Sequence, residues 1–272
     1  MTYTRTALLV LIAAAVAAPG TAHANPKALP FTYGTRTTAT GGLEIEQYVD
    51  AIPMRLAREL PDGSAQSTVV PRYALQTELE YGLTDDVELG FYLAFRQSAS
   101  IDAPVLRFQG IKQRVRWRFS PPCWPVQMAA YGEIAEFNDE IELEEKLILE
   151  RRFGAVTALA NLWIEQEWYF VTDETKYIYN PTVGVTWEPH PRVQLGAEYW
   201  ARGRFDSAGD QMATDETPSG ARHYAGPTVR LLGGEHWLAV GAYVRLDHLG
   251  RATPVDDAYG RVWVRLIAGI GI

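Results

Sequence analysis

Apolar and polar residues alternate with a period of two along most of the chain. "VELGFYLAF" sets Val87, Leu89, Phe91, Leu93 and Phe95 against Glu88, Gly90, Tyr92 and Ala94. "ALQTELEYG" sets Leu75, Leu79 and Tyr81 against Gln76, Glu78 and Glu80. "VQLGAEYWAR" opposes Val193, Leu195, Ala197 and Tyr199 to Gln194, Glu198, Trp200 and Arg202. "GRVWVRLIAG" opposes Val262, Val264, Leu266 and Ala268 to Arg261, Trp263 and Arg265. Side chains on a strand point alternately to its two faces, so each segment predicts a strand with one greasy and one polar face. The pattern predicts about 12 strands, near 42–52, 69–82, 86–97, 107–119, 126–136, 139–151, 155–170, 176–188, 192–204, 222–232, 236–247 and 258–270. Many exceed the ~5–6 residues usual in soluble sheets and match the roughly 9–11 residues of a tilted membrane strand.

The connections alternate as well. "LTDD", "SPPCWP", "RRFGA", "EPHPR" and "LGGEH" are short; "RELPDGSAQS", "SASIDAPVL", "FDSAGDQMATDETPSGA" and "DHLGRATPVDDA" are longer, with the turn at Asn138-Asp139 the exception. Short turns at one end and long loops at the other are the habit of bacterial membrane barrels. The expected architecture is therefore all-β, a transmembrane antiparallel up-and-down barrel. Trp117, Phe119, Trp168, Phe170 and Trp187 fall near inferred strand ends. They fit interfacial girdles better than the ordinary strand preference of aromatic residues.

"IKQRVRWRFS" is the most polarised strand. Lys112, Arg114, Arg116 and Arg118 share one face, with Ile111, Val115, Trp117 and Phe119 on the other. In a barrel the cationic face lines the lumen. Other strands supply acidic lumen candidates: Glu44 and Glu46, Glu78, Glu80, Glu88, Glu142, Glu144, Glu165, Glu167 and Glu198, with Arg261 and Arg265 as further basic ones. A barrel cannot bring every glutamate to one strand, so part of the positive field is expected to reach water. Two readings follow: a salt-bridged, closed interior, or a narrow pore that sorts small solutes by charge. "IELEEKLILERR" suits a strand or a helix with charge pairs. As a strand it turns Glu145 toward lipid, which requires a place near an interface.

The first 24 residues combine Arg5, the apolar run Ala7 to Ala18, and Ala22-His23-Ala24, a small-x-small cleavage pattern. This predicts a secretory signal peptide cleaved after Ala24. The expected layout is a signal at 1–24, a periplasmic segment or plug at 25–41, and a barrel at 42–272. The full chain carries 25 basic and 33 acidic residues. Without Arg5 the balance is 24 to 33, net −9, which argues against a nucleic-acid partner. A single cysteine, Cys123, excludes an internal disulfide. Beyond the signal no apolar run is long enough for a membrane helix, so a membrane form must be a closed barrel.

The stretch "LEYGLTDDVELGFYL", the start "TGGLEIEQYV" and "RRFGAVTALANL" resemble bacterial outer-membrane β-barrels grouped as transporters or phenol-degradation-pathway outer-membrane proteins. The resemblance covers most of the mature chain and implies an outer-membrane location and no catalytic residues. It also implies outer-membrane lipids, lipopolysaccharide and the barrel-assembly machinery as partners. Such barrels often end on an aromatic residue, whereas this chain ends on Ile272.

Enzyme chemistry finds little support. After the signal only His190, His223, His236 and His248 remain, and no His lies beside or one residue from a serine, as the resemblance to outer-membrane lipid hydrolases would need. Asp247-His248 with Asp256 and Asp257 reads more readily as a solvated loop than as a protease dyad. No His/Cys spacing fits zinc, the two "TDET" runs are not a calcium loop, and no cofactor is expected.

Overall fold

The structure is a computed structural model that describes residues 25–98, 100–102, 104–205, 220–247, 249–251, 255, 257 and 259–272. The expected signal sequence, most of the long "FDSAGDQMATDETPSGA" loop, His248 and Asp256 lie outside the described residues.

The strands are β1 (Leu43–Glu59), β2 (Ala65–Thr84), β3 (Val87–Gln97), β4 (Leu106–Arg118), β5 (Gln127–Phe137), β6 (Glu140–Phe153), β7 (Val156–Tyr169), β8 (Glu174–Tyr179), β9 (Thr182–His190), β10 (Val193–Arg204), β11 (Arg222–Gly233), β12 (His236–Arg245) and β13 (Val262–Gly271). Apart from β8 and β9, neighbours in sequence pair antiparallel, and β13 pairs with β1 to close the sheet. Strands β8 and β9 both lie between β7 and β10 and are two halves of one stave. The result is a closed antiparallel barrel of 12 staves. Among the described residues no helix is long and apolar enough to cross a membrane.

Pro181 separates the halves, because proline has no N–H to give to the ladder. The flanking bonds survive: Asn180 donates to the Trp163 carbonyl at 2.9 Å, and Ala201 to the Pro181 carbonyl at 3.1 Å. Ile178, Asn180 and Thr182 all remain buried on the inside, so the break does not shift the alternation.

A second irregularity does shift it. In β4, Gly110 opposes Ala94 while Phe108 opposes Phe95, so Gln109 is an extra residue, a β-bulge. Leu106 and Phe108 face outward on one side of the bulge, and Val115 and Trp117 on the other. Even-numbered residues point out before it and odd-numbered ones after it. A Cβ on Gly110 would lie 2.0 Å from the Glu136 carbonyl oxygen, so only glycine fits there.

The burial pattern is that of an inverted globule. Leu79, Leu89, Phe91, Val115, Leu162 and Val185 are exposed on the outer face, while the buried set is rich in Glu, Arg and Lys. Trp117, Phe119 and Trp187 sit outward near one end, Trp168 and Phe170 near the other. This arrangement matches paired girdles. Turns 85–86, 154–155, 191–192 and 234–235 lie at the first end, with the longer 119–126; the ends of β1, β3, β5, β7, β10 and β12 and the starts of β2, β4, β6, β8, β11 and β13 lie at the second. Strands β1 and β2 run past the rim at this loop end. Their mutual pairing continues to Glu59 and Ala65, whereas β13 follows β1 only to Ala51 and β3 follows β2 only from Ala74. The sequence alternation captured the lower part of this hairpin and treated its upper part as loop. Ile52, Met54 and Leu56 on it pack with Val70, Ile101 and Trp263.

β6 is a strand, not a helix. Glu145 lies inside it, paired with Gly132 on one side and Ile164 on the other, rather than at a strand end. The register that buries Glu144 and Lys146 leaves Glu145 no face but the outer one.

Candidate functional site

The basic strand β4 does turn its charges inward. Arg114 and Arg116 are only 4% and 3% exposed, against 43% for Val115 between them. The expectation that part of this field reaches water is wrong for these two residues. Arg114 donates through Nε to Glu78 at 2.8 Å and through Nη1 to Glu88 at 2.6 Å, and it also pairs with Glu80. Tyr92 OH lies 2.8 Å from Nε. Arg116 holds both oxygens of Glu88, at 2.7 and 2.8 Å. Lys112 pairs with Glu133 at 2.9 Å. Arg118 stands at the turn-end rim and pairs with the exposed Asp86 at 2.6 Å.

The physical reason is local. β4 lies next to β3, and β3 next to β2, so the acids of β2 are one strand further on. Arg114 reaches them by crossing Gly90, its partner on β3. A Cβ at Gly90 would meet Arg114 Cγ and Nε at 2.6 Å. The missing side chain at Gly90 is the path that lets one guanidinium serve three carboxylates.

The interior is also crossed by residues 25–41, which the sequence left as either a periplasmic arm or a plug. They thread the barrel without regular structure, and inward side chains take their backbone hydrogen bonds. Phe31 and Thr32 donate to Glu198, the former at 2.9 Å. Tyr33 exchanges two bonds with the side-chain amide of Asn161, at 2.7 and 3.0 Å. Thr35 donates to Glu150 at 2.8 Å, and Thr38 to Glu88 at 2.7 Å. Irregular backbone at membrane depth is tolerated only where protein or a water-filled cavity satisfies it, as here. Lys27 is the electrostatic anchor, with its ammonium 3.2, 3.1 and 3.5 Å from Glu46, Glu78 and Glu80.

These three glutamates bring their carboxylate oxygens within 4.8 Å of one another, a spacing that suits a metal ion. Lys27 takes the cation's place, so the cluster is already charge-paired.

The other predicted residues fall into separate groups. Glu165 and Glu167 share Arg202, at 2.6 and 2.9 Å. Glu144 pairs with Lys146 at 2.5 Å, and the Lys146 ammonium stands 3.5 Å from the Trp163 ring. Glu142 is half-buried and belongs to none of the ion pairs among the described residues. Arg265 grips Asp50 through two nitrogens, at 2.7 and 2.6 Å, and lies 3.8 Å from the Phe31 ring. Arg261 is exposed at the loop end, before β13 begins, so it is not on the inner wall as expected. Toward the loop end the interior becomes aromatic: Phe31, Trp200, Tyr224, Tyr243 and Tyr259 are buried together against Trp263.

Several participants escaped the sequence reading. Glu133 and Lys146 lay on alternating faces and could have been found there. Asn161 shares the inward face of β7 with Glu165 and Glu167 and could have been found there too, whereas Lys27 had no such signal, because its segment has no period. Asp247 and Asp257 both pair with Arg245, at 2.9 and 2.8 Å, and Asp247 also accepts the His223 backbone N–H. These two acids are held in an ion-pair network.

No protein-family model and no curated relative matches the chain. Solved structures do. A COG4313 outer membrane channel from Pseudomonas putida F1 matches with a TM-score of 0.61 at 11% identity, covering 94% of this chain and all of that one. The NanC porin matches with a TM-score of 0.55 at 6% identity, covering 84% of this chain and 98% of that one. The fold is thus that of outer-membrane channel and porin barrels.

Proposed function

We propose that this chain is a passive outer-membrane channel for small solutes, with a narrow, charged lumen partly filled by its own residues 25–41. The observation that carries the reading is the pairing of an apolar outer face with a polar interior in a closed barrel. A soluble protein would bury the first and expose the second. In this reading the short-turn end faces the periplasm and the loop end faces outward. Lipid and lipopolysaccharide surround the girdles, and the chain arrives through a signal peptide and the assembly machinery.

A second reading is a closed barrel that acts only through its surface. It is favoured by the near-complete pairing around Arg114 and Lys27. Reconstitution in planar bilayers separates the two. The channel reading expects discrete single-channel steps, small in size and dependent on the salt used. A correctly folded protein that produces no steps, and still none when Lys27 is replaced by Met, would overturn it.

A further inference from the structure

The inward-facing charges at the turn end do not balance. Glu44, Glu46, Glu78, Glu80 and Glu88 are all buried at 1% exposure or less. The cations among them are Lys27, Arg114 and Arg116, giving five acids against three bases. Glu44 is the outlier. Among the described residues it belongs to no ion pair; its carboxylate accepts from the Trp237 indole N–H and from the backbone nitrogen of Asn25, the latter at 2.6 Å. A buried carboxylate held by neutral donors alone is costly.

Asn25 is also the residue that the Ala22-His23-Ala24 pattern makes the first of the mature chain. We propose that the α-ammonium of Asn25, created by cleavage after Ala24, is a built-in buried cation that forms an ion pair with Glu44 and narrows the local imbalance to five acids against four bases. Before cleavage this nitrogen is a neutral amide with one proton to donate. After cleavage it is a cation with three. One proton already points at Glu44 Oε2. Asn25 is buried, and its side-chain amide lies 3.4 Å from Glu88 Oε2 and 3.3 Å from the Arg36 carbonyl oxygen.

The path of the segment supports a fixed first residue. Residues 25–41 rise from Glu44 to the aromatic cluster around Phe31 and return to the same end. There Thr38 donates to the Glu88 oxygen that Asn25 also contacts. Both ends of the loop are thus held at one carboxylate. One retained residue would move the charged nitrogen about 3.8 Å along the chain, out of reach of an ion pair made at 2.6 Å. Processing one bond early therefore misplaces the charge, and processing one bond late removes Asn25.

The test uses the complete mature chain refolded into detergent or bilayers with three N-termini: free Asn25, Nα-acetylated Asn25, and Ala24 retained ahead of Asn25. The urea midpoint should be highest for free Asn25 and lower for both others. In Glu44→Gln the free and acetylated forms should have equal midpoints. Should that variant fail to refold, labelling of the wild-type chain decides. An amine-reactive probe, read by mass spectrometry, should modify the folded Asn25 α-amine at least tenfold more slowly than the urea-unfolded one. Equal midpoints for the free and acetylated wild-type chains, or equal labelling rates folded and unfolded, would overturn the proposal. So would protein purified from membranes whose first residue is not Asn25. None of these measurements depends on conductance, so a failure here is distinct from a failure of the channel reading.

Discussion

The Lys27 ammonium lies 3.1 Å from Oε2 of Glu78, a residue 51 positions later in the chain. The contact joins the irregular N-terminal segment to the wall of the barrel. It also joins two charge systems, because Glu78 accepts from Arg114 as well. At the turn end of the lumen an irregular segment and a regular strand neutralise the same acids.

Removing Lys27 should therefore be felt twice. Lys27→Met leaves Glu78 and Glu80 with Arg114 alone, and Glu46 with no ion pair among the described residues. Breaking a buried pair in this way costs about 3–5 kcal/mol, and the urea midpoint of refolding should fall accordingly. If the segment obstructs the lumen, single-channel conductance should rise and cation preference increase. An unchanged midpoint would show that Lys27 is not the anchor.

Gly90 offers a steric test of the same network. Gly90→Ala places a Cβ 2.6 Å from Arg114 Cγ, and the guanidinium must leave its path across β3. The expected loss is about 1–3 kcal/mol, the usual range for overpacking. In an Arg114→Ala background the glycine substitution should cost little more, since the clash is gone. A full additional cost there would show that Gly90 is needed for backbone reasons instead.

Neighbours on β4 should fail for different reasons. Val115→Arg puts a charge on the lipid face and should weaken insertion by about 2–4 kcal/mol near the bilayer midplane. Arg116→Met removes a cation from Glu88, and Glu88→Gln should restore part of the loss. Glu88→Gln should not rescue Val115→Arg. Folding yields into lipid vesicles for the four variants check the assignment of faces.

A topology test follows from the two ends of the barrel. Cys123 is exposed in the 119–126 connection, and Ser64 is exposed in the opposite hairpin tip. In intact cells a membrane-impermeant thiol reagent should label Ser64→Cys in a Cys123→Ser background. Native Cys123 should react only after the outer membrane is permeabilised. The reverse pattern would turn the barrel over.

The turn at Asp85 should give a pH signature. The Thr40 hydroxyl donates to Asp85 at 2.6 Å and the Thr40 backbone N–H at 3.1 Å. These bonds, the hydroxyl's first, hold the Asp85 carboxyl below its ordinary pKa. A depressed folded value adds stability above the unfolded pKa, near ~3.9, and loses it as pH falls through the folded value. Thr40→Val should thus lower the refolding midpoint at pH 7 and have little effect near pH 2. Equal effects at both pH values would show that the contact acts through packing.

Much of this protein was fixed by a local rule. Side chains alternate on a strand, so the sequence alone determined the strands, the outward face of Val115, the inward face of Arg116 and the closure that an apolar exterior in lipid demands. Loop lengths showed which connections share an end. The sequence could not show that Gly110 begins a phase change, because a bulge is visible only against its partner strand. Nor could it show who neutralises whom. Arg114 reaches Glu78 and Glu80 because strand order and the gap at Gly90 bring them together, and Lys27 because an aperiodic segment folds back into the lumen. Alternation is a property of one strand at a time. Ion pairing depends on distances between strands, and only the closed barrel set those.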